Sequence, residues 1–167
     1  MLEHNGASQA FYGQGAFVSA YNASVNGDKI FLSAGTFTAP TAITQGIKVY
    51  GAGHFPIEGK QTQISSGLNI FKGADSLRLE GLFISGGVIF EASYSINYVK
   101  IIRCRFLGVG FNSNSSSASK NYCSFEECYI AGSILFYNYG NNLLVRNSVI
   151  QGQIKDVDGN ALIDGNI

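Results

Sequence analysis

The chain has 167 residues, and its eleven basic and eleven acidic side chains cancel to a formal net charge of zero. This balance predicts no nucleic-acid partner and no attraction to an acidic membrane surface. No apolar run is long enough to span a bilayer, so membrane insertion is not expected either.

The N-terminal segment contains one predicted helix. Residues 1–15 are small and polar and lack the basic and apolar parts of a signal peptide, so either the protein stays in a cytoplasm or a signal has been removed. Apolar residues then recur at roughly helical spacing until Gly27 ends the element: Phe17, Ala20, Tyr21 and Val25. Residues 1–27 are therefore predicted to form an N-terminal segment with a capping helix, and residues 28–167 the main domain.

Short strands separated by tight turns are predicted next. A strand with a turn at Ala34-Gly35 covers residues 28–37, and a second strand with its turn covers 46–53. Further short strands are predicted at 63–64 and 69–71.

The rest of the chain repeats. Four stretches align when written one above the other, and they cover residues 77–86, 99–108, 123–132 and 143–152. Each has apolar or small residues at its first, third, sixth and eighth positions and Gly at its tenth, and these glycines follow one another after 22, 24 and 20 residues. A repeat of this length, built from a strand and a turn, is typical of a solenoid.

Each repeat must also bend. Strand side chains alternate between two faces, so an interior step of three residues instead of two requires a bend between the third and sixth positions. The bends are predicted at Gly81, Arg103, Glu127 and Asn147, and in a fifth, partial repeat at Gly165. The C-terminal end is expected to be uncapped, so that either further chain or another subunit covers it.

Two segments resemble the right-handed parallel β-helix, or pectate-lyase-like, superfamily. Residues 16–37 are similar to the capping helix and first strand of many such domains, and VRNSVIQG at 145–152 is typical of the family's coils. The predicted fold class is therefore all-β: a right-handed parallel β-helix (β-solenoid) of about six to seven coils with a short N-terminal capping helix. The resemblance selects no function, because the family includes lyases, hydrolases, phage tailspikes and adhesins.

Equivalent positions of successive coils form interior columns, with neighbours about 4.8 Å apart. The columns are Leu77/Val99/Cys123/Leu143, Leu79/Ile101/Phe125/Val145, Leu82/Cys104/Cys128/Ser148 and Ile84/Phe106/Ile130/Ile150. Cys104 and Cys128 are predicted to be inert thiols, because parallel neighbouring strands suit a disulfide poorly. Opposite charges one coil apart predict two ion pairs that fix the register, Arg103–Glu127 and Glu126–Arg146.

The outward columns carry more aromatic and aliphatic side chains than a solvated face should, which indicates an interaction surface. The predicted binding face consists of Phe83, Arg105, Tyr129, Tyr98, Tyr122 and Lys100. Arg105 lies between Phe83 and Tyr129, where it can stack on either ring. Two interpretations stay open: a sugar-binding platform, or a face covered by the loop at 112–121 or by a neighbouring subunit, and the second is favoured.

No catalytic residue is predicted. The acids of the repeats are Glu80, Glu126 and Glu127, and the adjacent pair diverges with a basic neighbour for each, unlike the facing carboxylates of a glycosidase. The acid clusters of the family's polygalacturonases and the Arg-x-Pro-x-x-Arg motif of its pectate lyases are missing. His54 is interpreted as a loop residue, because nothing nearby completes a base with an orienting partner.

No cofactor or metal site is predicted, with calcium as the open alternative. Oxygen ligands in the spacing of the start of a calcium loop are supplied by Asp156, Asp158, Asn160 and Asp164. The glycine and the glutamate of such a loop are replaced by Ala161 and Ile167. A turn rich in Asp, Gly and Asn explains the segment better.

These observations favour a non-catalytic structural or binding protein of the virion, tail or cell-surface type, extracellular or virion-associated. It is expected to act through the outward face as a homo-oligomer, with protein subunits or a polysaccharide as partners. The alternative is a carbohydrate-active enzyme, either a polysaccharide lyase or a glycosidase, or a fragment of one. A third possibility is a free-standing glycan-binding module.

Overall fold

The protein is a β-solenoid. A computed structural model describes residues 1–55, 59–91, 93–111, 118–135, 140–155 and 160–167. They form stacked parallel coils, about 6 turns in all, with one short helix. The predicted all-β parallel solenoid with an N-terminal helix is confirmed.

The elements are short because each coil turns several times. In chain order they are β1 Leu2–His4, β2 Ala7–Gln9, α1 Ala16–Ala23, β3 Lys29–Phe31, β4 Gly35–Phe37, β5 Lys48–Tyr50, β6 Thr62–Ile64, β7 Leu68–Ile70, β8 Arg78–Glu80, β9 Phe83–Ile84, β10 Val88–Phe90, β11 Ile96–Asn97, β12 Lys100–Ile102, β13 Arg105–Phe106, β14 Val109–Phe111, β15 Lys120–Asn121, β16 Ser124–Glu126, β17 Tyr129–Ile130, β18 Ile134–Leu135, β19 Gly140–Asn141, β20 Leu143–Arg146, β21 Val149–Ile150, β22 Ile154–Lys155 and β23 Ala161–Asp164.

Stacking of the coils places these strands in four sheets. Sheet 1 has nine strands in the order β2-β1-β3-β5-β8-β12-β16-β20-β23, and sheet 2 has six in the order β21-β17-β13-β9-β6-β4. Sheet 3 contains β22-β18-β14-β10-β7, and sheet 4 contains β11-β15-β19. Each coil passes through sheet 1, bends, and continues into sheet 2.

The core follows the predicted columns. Leu79, Ile101, Phe125 and Val145 pair in register along sheet 1, and all four are fully buried. The columns of Leu77 and Leu82 are buried over their whole length, and in the column of Ile84 only Ile150 is partly exposed. The repeat therefore predicted both the register and the inward face.

The predicted bends are left-handed turns. The backbone has a positive φ at Gly81 (68°), Arg103 (49°), Glu127 (54°), Asn147 (51°) and Gly165 (62°). A second column of left-handed residues lies just before the sheet 1 strand of each of the four repeats. It consists of Ser76, Tyr98, Tyr122 and Asn142, with φ between 54° and 64°. Each repeat thus bends on both sides of its sheet 1 strand.

The N-terminal residues are more ordered than predicted. β1 and β2 form an antiparallel hairpin around Asn5 and Gly6, both with positive φ, and β1 pairs with β3. The hairpin therefore covers the first edge of sheet 1, which would otherwise present unpaired backbone groups.

The helix ends earlier than the sequence indicated. It buries Ala16, Phe17, Ala20 and Tyr21, but Ser24 is already extended and Val25 is exposed. Within the described residues, no helix is long and apolar enough to cross a membrane.

Of the two predicted ion pairs, one is confirmed and the other is wrong. Arg146 donates two hydrogen bonds to Glu126 Oε2, at 2.6 and 3.0 Å, as expected. Arg103 bonds Glu80 and not Glu127. The Glu80 side chain is only 13% exposed, so its attraction for the Arg103 guanidinium is less screened by solvent than that of the exposed Glu127.

The three cysteines are free and buried, which confirms the prediction of inert thiols for Cys104 and Cys128. Burial raises the pKa of Cys123 and of Cys128 to about 12 and raises the pKa of Cys104 well above its ordinary range. At neutral pH all three thiols therefore stay protonated, and none is an activated nucleophile.

Candidate functional site: two grooves on the outer face

The predicted binding-face residues form two groups on different sheets. Phe83, Arg105 and Tyr129 lie on β9, β13 and β17 of sheet 2. Lys100 begins β12 of sheet 1, and Tyr98 and Tyr122 occupy the left-handed positions just before sheet 1. The left-handed bend at positions 81, 103 and 127 separates the groups, so they cannot form one continuous platform.

The first group is an aromatic stripe, defined here as Phe83, Arg105 and Tyr129. The Arg105 guanidinium carbon lies 5.4 Å from the centre of the Phe83 ring and 4.9 Å from that of the Tyr129 ring. The predicted stacking of Arg105 on these rings is confirmed. Because the guanidinium covers ring surface of both neighbours and all three residues are half-buried, the stripe mainly joins adjacent coils.

The second group is a tyrosine stack, defined as Tyr98 and Tyr122. Their ring centres lie 5.0 Å apart with planes inclined by only 7°, and the two residues are 54% and 51% exposed. The parallel register explains the stacking, because it repeats the same backbone conformation one coil further on. The neighbours in this column, Ser76 and Asn142, carry no ring, so the outer ring faces of the stack have no aromatic partner within the column.

A cavity of about 300 Å³ adjoins the tyrosine stack. We name it the tyrosine groove, and its lining consists of Tyr98, Lys100, Tyr122, Cys123, Ser124, Glu126, Asn142 and Leu144. A second cavity of about 550 Å³ shares two of these residues, Asn142 and Leu144, and extends to Asn160 and Leu162 on the next coil. The two cavities therefore follow each other along the solenoid axis.

One buried hydroxyl in the tyrosine groove lacks a partner. Ser124 is 6% exposed, and its Oγ makes no hydrogen bond to any described residue. An unsatisfied buried polar group costs about 1–3 kcal/mol, which a bound hydroxyl or amide could recover. Ser124 was not among the predicted binding-face residues, although a small residue in register with Arg78, Lys100 and Leu144 indicates a gap in the surface.

A separate charged groove was not predicted. It is a cavity of about 460 Å³ lined by Tyr50, Gly51, Ala52, Gly53, His54, Phe55, Lys60, Glu80, Gly81 and Arg103. His54 does lie in a loop, as predicted, but only 8% of its surface is exposed. Burial lowers the pKa of His54, and the positive charges of Arg105 and Arg103 lower that pKa further, although a backbone hydrogen bond at Arg103 opposes them.

The calcium alternative remains a prediction. Asp156 and Asp158 lie outside the described residues, as do residues 112–117 of the loop expected to cover the outward face. Asn160 is described and its side-chain amide lies 3.5 Å from Asn142 Oδ1. Within the described ranges, no group of three or more His, Cys, Asp or Glu side chains could hold a metal ion.

Comparison of the chain with models of protein families, with curated proteins and with solved structures finds no match. The two grooves and the side chains that line them are therefore the observations that bear on function.

Proposed function

We propose that this protein is a non-catalytic binding protein of the pectate-lyase-like β-helix type that holds a glycan chain in the tyrosine groove. The observation that carries the proposal is the half-exposed Tyr98–Tyr122 stack beside the unpartnered hydroxyl of Ser124. Concave sites that combine aromatic surface with a few placed polar groups are the usual form of a small-molecule site.

The chemistry of the lining suits a sugar. A pyranose ring has an apolar face that packs on an aromatic ring, and hydroxyl groups at its edge that need hydrogen-bond partners. The stack supplies the rings, the Lys100 ammonium and the Asn142 amide supply donors and acceptors at the same cavity, and the unpartnered Ser124 hydroxyl lies buried beneath its surface. Both kinds of contact are thus available to one ligand at once.

The direction of the groove suits a chain of sugars. The two joined cavities extend from Tyr98 through Asn142 to Leu162, across strands in successive coils. Three strand spacings of about 4.8 Å span roughly 14 Å, which is longer than a single sugar ring. A repeating ligand would therefore meet a repeating surface.

The acids near the grooves support binding and not hydrolysis. Glu80 accepts hydrogen bonds from Arg78 and Arg103, and Glu126 accepts two from Arg146. Each carboxylate is thus occupied by guanidinium donors, whereas the two carboxylates of a glycosidase face the scissile bond across a cleft. Both carboxylates are thus suited to fixing the arginines.

A polysaccharide array probed with wild-type protein, Tyr122→Ala and Tyr129→Ala tests the proposal. Both substitutions remove one tyrosine ring, but only Tyr122 lines the tyrosine groove. We expect Tyr122→Ala to weaken binding at least about tenfold, the loss typical of a truncated aromatic anchor, and Tyr129→Ala to retain it. Loss in Tyr129→Ala alone would place the ligand on the aromatic stripe and refute the tyrosine groove.

A second candidate is association of copies of this chain through the sheet 2 side, as a structural virion or cell-surface protein would require. Leu107 and Val149 are exposed apolar residues that flank the aromatic stripe. We expect Val149→Lys to turn an oligomer into a monomer in light scattering, since a buried unpaired charge is costly. A wild-type monomer at micromolar concentration would remove this candidate.

The enzyme alternative has its own test. Release of reducing or unsaturated sugars from a polyuronate panel by wild-type protein, lost in Glu126→Gln, would establish catalysis and overturn the binding proposal.

A further inference from the structure

The charged groove carries an excess of positive charge. Glu80 is shared by two guanidiniums and balances the charge of only one: Arg78 donates to its Oε2 at 2.6 and 2.9 Å, and Arg103 donates to its Oε1. Lys60 adds an ammonium to the same lining. Of the described charged residues that line the groove, two are cationic, Lys60 and Arg103, and one is anionic, Glu80, so the groove attracts an anion.

Arg103 is positioned to bind such an anion. Its side chain is 55% exposed although its guanidinium is anchored by Glu80. The hydrogen bond to Glu80 uses Nη2, and a guanidinium has five N–H donors in a planar fork that matches an oxyanion. A guanidinium that a carboxylate already holds on one side loses little conformational freedom when its other N–H groups bind a ligand.

The floor of the groove leaves room for the ligand. Gly51, Gly53 and Gly81 carry no side chains into it, and Gly51 and Gly81 pack directly against each other's coil. His54 closes the groove beside Arg103, and its ring hydrogen-bonds the backbone of Arg103. Two cationic side chains and open space therefore meet at one place.

We propose that the charged groove is a binding site for an oxyanion, namely a phosphate, sulfate or carboxylate group, held by Arg103 and Lys60. This site is separate from the tyrosine groove, with which it shares no lining residue. Its existence does not depend on the proposed glycan binding.

The test is isothermal titration calorimetry of the full chain with inorganic phosphate, sulfate and glucuronate at constant ionic strength. Arg103→Gln and Lys60→Gln remove the two cations. Arg146→Gln is the matched control, because Arg146 also bonds a glutamate of sheet 1 but does not line the charged groove. Gln at position 103 retains a non-glycine residue at φ 49°, so the backbone cost there is unchanged.

We expect at least one of the three anions to bind, and the one that binds most tightly identifies the group that the site takes. Arg103→Gln should weaken that binding about tenfold or more and Lys60→Gln severalfold, since each removes a charge-assisted hydrogen bond. Arg146→Gln and Tyr122→Ala should bind as wild type does.

No heat with any anion, or an equal loss in Arg146→Gln, would overturn the proposal. If Arg103→Gln fails to fold, Lys60→Gln at its exposed position tests the site instead, and unchanged anion binding in that variant would then overturn the proposal.

Discussion

Replacing Glu127 by glycine should stabilise the protein, although the change removes a side chain. Glu127 adopts φ 54° at the bend between sheets 1 and 2, where its side chain is exposed and makes no ion pair with any described residue. A left-handed conformation costs a non-glycine residue about 1–2 kcal/mol. Glycine avoids this cost but loses about 0.5–1 kcal/mol through its greater freedom when unfolded. The expected net gain in the free energy of unfolding is therefore about 0–1.5 kcal/mol.

The equivalent position two coils earlier provides the opposite change. Gly81 has φ 68°, and a Cβ there would lie 2.9 Å from the Gly51 carbonyl oxygen, so Gly81→Ala should destabilise by at least about 1–2 kcal/mol. Lys100→Gly is the control for glycine within a strand, where it should cost about 1 kcal/mol. Urea unfolding followed by circular dichroism measures all three. A loss of stability in Glu127→Gly together with a neutral Gly81→Ala would refute the assignment of these positions to left-handed bends.

Three further predictions concern the core and its titratable groups. Ile101→Ala should lower the unfolding free energy by about 2–5 kcal/mol in urea melts, whereas half-exposed Ile102→Ala should cost clearly less; equal losses would contradict the inward register. Burial raises the pKa of the Cys123 and Cys128 thiols from 9.0 to about 12, so between these pH values the unfolded chain loses the thiol protons while the folded protein keeps them. The free energy of unfolding should therefore fall as the pH rises from 9.0 to about 12, by up to about 1.4 kcal/mol per pH unit for each thiol. The double variant Cys123→Ala/Cys128→Ala should show a shallower alkaline slope in urea melts, and an unchanged slope would contradict burial of these thiols. Burial lowers the pKa of Lys120 from 10.5, so as the pH rises the folded protein releases this proton before the unfolded chain does. The free energy of unfolding of the wild type, relative to that of Lys120→Met, should therefore rise as the pH approaches 10.5. A difference that does not depend on pH would count against the buried ammonium.

The coils were predictable because their signals are local and periodic. Side chains alternate along a strand, so the interior step of three residues from Ile101 to Cys104 required a bend at Arg103, and the structure has a left-handed residue there. The signal of the N-terminal hairpin was also in the sequence, since Asn5-Gly6 is the dipeptide of a tight hairpin turn, but the surrounding residues are too polar to suggest strands.

The grooves were harder to predict because they depend on contacts between distant parts of the chain. Tyr98 and Tyr122 are not residues that favour a left-handed backbone, so nothing local indicated the second bend that presents their rings. The charged groove forms where the loop at His54 meets Arg103, almost fifty residues later in the sequence and two coils further along the solenoid. Arg103 was expected to pair along its own column with Glu127, and only the arrangement around Glu80 shows why it does not.

A crystal structure of the protein with the glycan that binds best on the array would test the central claim most directly. We predict a sugar ring packed on Tyr122, with a hydroxyl group hydrogen-bonded to Ser124 Oγ and the chain directed along the solenoid axis toward Leu162. A glycan bound to sheet 3 or to the aromatic stripe, with Ser124 Oγ still unpartnered, would contradict the claim.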